Sequence, residues 1–478
     1  MNHHDIRTAR RGRRRRRLAA ALATALLLAA CGGGSTADLD PDDLAGDTEP
    51  DTTDTDTDTD TDGDTAEGAD DGGDLDLTLL STQLRPVEEA EAVRNVVLAD
   101  FPGNVEFIGE DDGPFVDRIL AEAQAGSGSV DVIGALHGDF GTFAAEDVLM
   151  DLSDLLEELS ADREFPESLI DLTRFGGDAV YYIPWVQATY AMVASNEAVE
   201  YLPDGADLNA LTYDELLEWA RILEEETGAP QFGLPAGEDG LLHRFFQGFL
   251  YPAFTGGVNT TFTSDSAVEG WSWLQEIWEH ANPQSTTYGF MQEPLLSGEV
   301  MVAWDHTARL VGALEERPDD FVAFPSPTGP EGLAFMPVVG GLGIPANAPD
   351  PEGAKALIEY LTRPEVAALT LRETAFFPGT GDELPDDLEG GVAALAEVVA
   401  AQQQSPDALP SLLPIGLGDQ GGAYNKVFQD SFRAIVLQGN DPAGVLSAEA
   451  DNLQRVLDTA GASCWFPDPD SEGPCQVQ

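Results

Sequence analysis

Lysine is almost missing from this chain: Lys355 and Lys426 are the only two in 478 residues. Basic residues of any kind are scarce beyond the first seventeen positions, which hold eight arginines: Arg7, Arg10, Arg11 and Arg13 to Arg17. From residue 31 onward, 15 basic residues stand against 86 acidic ones, a net charge of −71. Such a surface repels nucleic acid, whose binding needs a basic footprint. It suits solubility in a salty medium, where ions screen the self-repulsion. Long apolar runs are also lacking. No segment after residue 30 has eighteen consecutive apolar residues, so no membrane-spanning helix is expected. The reaction motifs HExxH, GxSxG and GxxxxGK do not occur. Gly416 to Gly421 spells GxGxxG, but it follows proline-containing loop sequence rather than a first strand, so it carries no dinucleotide expectation. No catalytic residue, metal site or cofactor is expected. Carboxylate pairs of the kind glycosidases use occur by chance among so many acids and decide nothing alone.

Cysteine occurs three times. Cys31 ends an apolar stretch, Leu18 to Ala30, that follows the arginines. A basic segment and a 13-residue apolar run form a secretory signal, too short to span a bilayer. Leu28-Ala29-Ala30-Cys31 resembles a bacterial lipobox, which would make Cys31 the lipidated N-terminus of the mature chain. Two or more acyl chains hold a protein on a membrane stably. The arginines leave both the general secretory and the twin-arginine route open. Cys464 and Cys475 remain, and in an oxidising compartment they read as a disulfide; metal binding would need more ligands than this pair supplies.

Residues 31–74 read as a disordered tether. They carry 17 acids, no base and an Asp-Thr alternation from Asp54 to Asp62. Random-coil scaling gives such a segment a reach of roughly 35–40 Å. Asp58, Asp60, Asp62 and Gly63 fit half of a calcium loop, but Ala69 stands where the closing glutamate belongs.

Order begins at Leu75. Strands are predicted at Leu75–Leu80, Asn104–Ile108 and Val130–Ala135, with helices at Val87–Asp100 and Pro114–Ala123 between them. Val93, Val96, Val97 and Phe101 share one helical face. Strands alternating with amphipathic helices indicate a parallel sheet covered on both faces, with ligands expected beyond the carboxyl ends of its strands. Those ends are Ser81-Thr82-Gln83 and His137-Gly138-Asp139, both read as loops. Helices are predicted at Tyr213–Glu226, Ala267–His280, Pro351–Leu361, Tyr424–Leu437 and Pro442–Ala460. Short strands are predicted at Val300–Trp304 and Phe321–Phe324, and Gly340-Gly341 is read as following a strand.

From Leu75 to about Ala460 the chain resembles the carbohydrate-type, family 1 solute-binding proteins of ATP-binding-cassette importers. The likeness rests on Tyr182-Ile183-Pro184 with Ser195-Asn196, on Ser297-Gly298-Glu299-Val300-Met301, and on Phe324-Pro325-Ser326-Pro327 with Gly329 and Gly332. Gly340-Gly341, Ile344, Ala354 to Leu361 and Pro364-Glu365 continue it in the same order. A glutamate, Glu299, replaces the family's usual lysine. The resemblance implies an α/β, two-lobe periplasmic-binding-protein-like (type II) fold with a hinge and an interlobe cleft. Residues 75–186 and 325–372 would form lobe 1, and 187–324 and 373–478 lobe 2. It further implies a monomer working with permease subunits and closing over a sugar, which the lipobox would hold at the outer face of the cytoplasmic membrane.

A sugar site needs planar polar side chains and aromatic rings at strand ends. The candidates are Gln83, His137, Asp139, Trp185, Gln187, Tyr190, Trp304, Asp305, His306 and Tyr424, with Gly340 and Gly341 allowing backbone approach. Each aromatic has core packing as its plain alternative. Trp271, Trp273 and Trp278 lie within one helix and read as packing. Two other functions remain open: a receptor for a cationic solute such as a polyamine, bound by acids and aromatic rings, and an anchored glycoside hydrolase.

Overall fold

The computed structural model describes residues 75–478, apart from 382, 383 and 386. The expected signal, the expected lipidation of Cys31 and the expected tether lie outside the described residues.

Three parallel strands open the fold: β1 (Leu75–Ser81), β2 (Gly103–Gly109) and β3 (Val132–Leu136). Leu79 pairs with Phe107 on one side and Val132 on the other, which places β1 between β2 and β3. Leu77, Leu79 and Leu80 are all buried, as expected for a strand covered on both faces. The helix Val87–Ala92, continued by Val93–Val97, and the helix Asp112–Ala125 make the crossovers. Val93, Val97 and Phe101 are buried, whereas Val96 turns outward. β4 (Ile183–Ala188) closes the same sheet together with two strands from much later in the chain. The sheet order is β11 (Phe377–Pro378), β4, β10 (Val338–Gly343), β3, β1, β2.

A second sheet follows at once. β5 (Tyr190–Ser195), β6 (Phe232–Gly233), β7 (Val302–His306) and β8 (Phe321–Phe324) are ordered β6-β7-β5-β8. β9 (Leu333–Phe335) leads to β10 (Val338–Gly343), which returns to the first sheet antiparallel to β3 and β4, and β11 (Phe377–Pro378) joins its edge. β12 (Ala408–Pro410) pairs with β9 in a small separate sheet. The two larger sheets are the centres of two lobes, and the late helices Gly421–Phe432 and Pro442–Ala460 pack on the second. Gln187 and Ala188 therefore belong with the first sheet, and Leu333–Phe335 does not.

The crossings between the lobes are tied together. Thr189 Oγ1 donates to the Met336 carbonyl at 3.0 Å, Gln187 Nε2 to the Pro378 carbonyl at 2.8 Å, and the Gly379 amide to the Trp185 carbonyl at 2.8 Å. Gln402 Nε2 donates to the Tyr190 carbonyl at 3.2 Å.

Local signals explain several helix starts. Thr212 and Glu215 form a reciprocal capping box ahead of Tyr213–Thr227, and Ser264 accepts from the Ala267 amide to start Asp265–Trp278. Within that helix Trp271 donates to Tyr251 Oη and Trp273 to the Tyr213 carbonyl; both indoles are buried, so they pack the lobe. Cys464 and Cys475 form a disulfide with Cα atoms 4.5 Å apart.

Candidate solute-binding cleft

Facing segments of the two lobes define a seam. Two cavities flank the start of the helix Asp112–Ala125. One, of 480 Å³, lies between Asp112, Asp117 and Asp139 on the first lobe and Arg244, Asp419 and Asn425 on the second. The other, of 590 Å³, lies between Arg85 and Asp111 on the first lobe and Asp239, Phe290 and Arg309 on the second. A third, of 490 Å³, continues past Phe290 and Arg309 to Glu89, Glu315 and Arg372. A further cavity of 620 Å³ between Tyr213, Phe254 and Trp273 is lined by residues of the second lobe and its crossing, none of them from the first sheet.

Asp139 stands on the seam wall. His137 and Asp139 were expected in a loop; they form instead the first turn of the helix His137–Ala145, because the chain turns helical directly from β3. The Asp139 carboxylate accepts from the Leu136 amide at 3.3 Å. Burial, reinforced by Asp112 and opposed by Arg244, pushes its pKa up to about 7. His137 lies behind that wall, stacked on Phe175 at 4.8 Å with Nδ1 2.9 Å from Tyr182 Oη. Burial lowers its pKa to about 4, so the ring is neutral.

Gln83 is half-buried beside β10, its Nε2 bonded to Thr82 Oγ1 at 3.0 Å. Gly340 and Gly341 lie inside β10 rather than after a strand. Their small size serves packing: a Cβ on Gly341 would come 2.1 Å from Tyr182 Cδ2, and one on Gly340 3.1 Å from Val186 Cγ2.

Tyr190, Trp304, Asp305 and His306 meet where β5 pairs with β7. Trp304 is fully buried, stacked on Tyr190 at 4.7 Å and flanked edgewise by Phe245 and Phe249. Asp305 accepts from the Met291 amide at 2.9 Å and the His306 amide at 2.7 Å. Burial pushes its pKa up to about 6 while Arg309 opposes the shift. His306 Nδ1 accepts from the Ala308 amide; burial, aided by Arg309, holds its pKa near 3. Trp185 is also buried. The indole N–H groups of Trp185 and Trp304 have no hydrogen-bond partner among the described residues. Tyr424 sits away from the seam, its hydroxyl on Asn259 Oδ1 at 2.9 Å and its ring against Phe428 and Trp465. The structure thus places Asp139 on a cavity wall and gathers Tyr190, Asp305 and His306 near Arg309. Trp304 and Tyr424 are core residues of the second lobe.

Most of the polar seam residues were not expected from the sequence, among them Glu89, Arg244, Arg309 and Asn425. The arginines carried a usable signal, being two of only 15 bases after residue 30. Burial raises the Glu89 pKa to about 7 against the opposing charge of Arg309. Among the described residues no His, Cys, Asp or Glu cluster is arranged to hold a metal, and no helix is long and apolar enough to cross a membrane.

The sequence matches the bacterial extracellular solute-binding proteins over residues 87–368, more than half of the chain. The protein belongs to that family. It is a family of binding proteins, and its name locates its members outside the cytoplasm. Solved structures share the two-lobe fold. Maltose-bound MalE3 of T. maritima superimposes with a TM-score of 0.64 at 18% identity, covering 80% of this chain and 100% of that one. UgpB of Mycobacterium tuberculosis, solved with glycerophosphocholine, gives 0.63 at 22% identity, with 81% and 99% covered. The GacH receptor of Streptomyces glaucescens, solved unliganded and with acarbose, gives 0.62 at 19%, with 80% and 98% covered. No curated protein matches the sequence.

Proposed function

We propose that this solute-binding protein captures a mono- or oligosaccharide by closing its lobes and delivers it to the permease subunits of an ATP-binding-cassette importer. The observation that carries this reading is the seam itself, where Asp139 of one lobe and Arg244 and Asn425 of the other line one cavity. Contacts supplied by both lobes exist only in the closed form, so a solute that makes them shifts the population toward it. Sugar-bound relatives of the same fold support the ligand class. We take the lobes as 75–188 with 338–378, and 190–336 with 390–478, following strand membership. In the same reading Cys31 is lipidated, residues 31–74 tether a monomer to the outer face of the cytoplasmic membrane, and no residue is catalytic.

A second reading has its own support. Asp112, Asp117, Asp139 and Asp419 surround a single cavity, an arrangement that suits a cationic solute. Calorimetry of the full chain against a sugar panel, spermidine and glycerophosphocholine separates the two. Heat with a sugar is the expected result. Silence across the sugars with binding of a cationic compound would replace the ligand class.

A further inference from the structure

Arg244 and Arg309 are notable for what they do not touch. Although acids outnumber bases nearly six to one after residue 30, neither arginine forms an ion pair among the described residues. Arg244 Nη1 donates to Gln247 Oε1 at 3.0 Å. Arg309 Nη1 donates to the carbonyls of Asp239 at 3.2 Å and Gly289 at 3.1 Å, with its guanidinium 4.1 Å from the Phe290 ring centre. Each shares a cavity with a carboxyl group of the opposite lobe, Arg244 with Asp139 and Arg309 with Glu89.

A polar pair held apart across a cavity is an arrangement that a bridging group fills. A hydroxyl can donate to a carboxylate and accept from a guanidinium at once, so a sugar's hydroxyls bridge such a pair without net charge. The two pairs lie along one seam. Asp111 and Asp112 line adjoining cavities on one wall, and Leu241 and Arg244, one helical turn apart, do so on the other. Arg309 then links the second of these cavities to the third, which holds Glu89.

We propose that Asp139 with Arg244, and Glu89 with Arg309, are two hydroxyl-bridging poles spanned by one solute, which is therefore an oligosaccharide of at least two rings. This rests on the sugar-capture reading above. Other charges surround each pole: Asp112, Asp117 and Asp419 at the first, and Glu88, Arg85, Glu293, Glu315, Arg372 and Glu373 at the second. The upward pKa shifts of both carboxyls agree with the proposal, since a solute hydroxyl would relieve their desolvation.

The test is calorimetry of the full chain with glucose, maltose, maltotriose, N-acetylglucosamine and chitobiose. At least one oligosaccharide should bind tenfold or more tightly than its own monosaccharide. Glu89→Gln and Arg244→Gln should each weaken that oligosaccharide about tenfold or more, the expected loss of a charge-assisted hydrogen bond. Melting temperatures should not fall below the parent value, and Asp139→Asn offers a near-isosteric check at the first pole. A monosaccharide bound as tightly as any oligomer, or unchanged oligosaccharide affinity in folded variants, overturns the two poles and leaves sugar capture standing. Binding of no sugar of either length overturns sugar capture, and this inference with it.

Discussion

Two aspartates of this protein, Asp468 and Asp139, differ in how fully they are satisfied. Asp468, in the C-terminal tail, is buried and accepts five hydrogen bonds from residues 258–260: the amides of Val258, Asn259 and Thr260, Asn259 Nδ2 and Thr260 Oγ1. Asp139, on the seam, accepts one long bond from Leu136 and otherwise faces a cavity. The first carboxylate is saturated by its own chain and pins the tail to the second lobe, while the disulfide closes a loop within the tail. The second keeps acceptor capacity unused on a cavity between the two lobes. Acid count could not separate the two. Saturation does.

The largest way to break the comparison is Asp468→Ala. It would strand several buried donors, and we expect a loss of about 3–5 kcal/mol in urea unfolding. Solute affinity of the folded fraction should stay unchanged, because this carboxylate is nowhere on the seam. An affinity loss comparable to the stability loss would erase the distinction.

Asp139→Asn should act in the opposite sense on stability. The folded-state pKa of Asp139, about 7, lies above its ordinary value of 3.8. The folded protein therefore holds an extra proton between roughly pH 4 and 7, and stability falls as pH rises through that window. The variant cannot lose this proton. It should match the parent near pH 4 and exceed it by about 1–3 kcal/mol at pH 8. Parallel unfolding curves at both pH values check this, and a variant less stable at pH 8 would show that the charged form is well satisfied.

The smallest effect belongs to Tyr424→Phe. It removes one buried hydroxyl from Asn259, so about 1 kcal/mol of stability should go. Affinity for the solute should not move. A change in affinity would return Tyr424 to the cleft.

Much of the architecture was legible locally. Pro351–Leu361 and Pro442–Ala460 match the predicted bounds because Asp350 and Asp441 cap them and proline occupies their first turn. The alternation of strands and helices from Leu75 to Leu136 announced a covered parallel sheet. Other positions misled for physical reasons. Gly340-Gly341 was expected to follow a strand and admit a ligand's approach, but the pair lies inside β10, which needs small residues where the Tyr182 ring presses against it. His137 and Asp139 looked like a polar loop because no proline or serine marked a helix start behind β3. Beyond the scarcity of bases, Arg244 gave no sign of its place, lying among the buried phenylalanines Phe245, Phe246 and Phe249. Its place beside Asp139 on one cavity depends on a segment more than a hundred residues earlier in the chain.

Composition and periodicity alone set the acidic character, the alternating layers and most helix ends, because those depend on neighbours within a few positions. Which acids are saturated, which arginines lack a carboxylate, and which tryptophans are walled into a core depend on segments far apart in the chain. Packing two lobes against each other made those choices, since burial and hydrogen-bond supply exist only once distant strands share a sheet and distant loops share a seam.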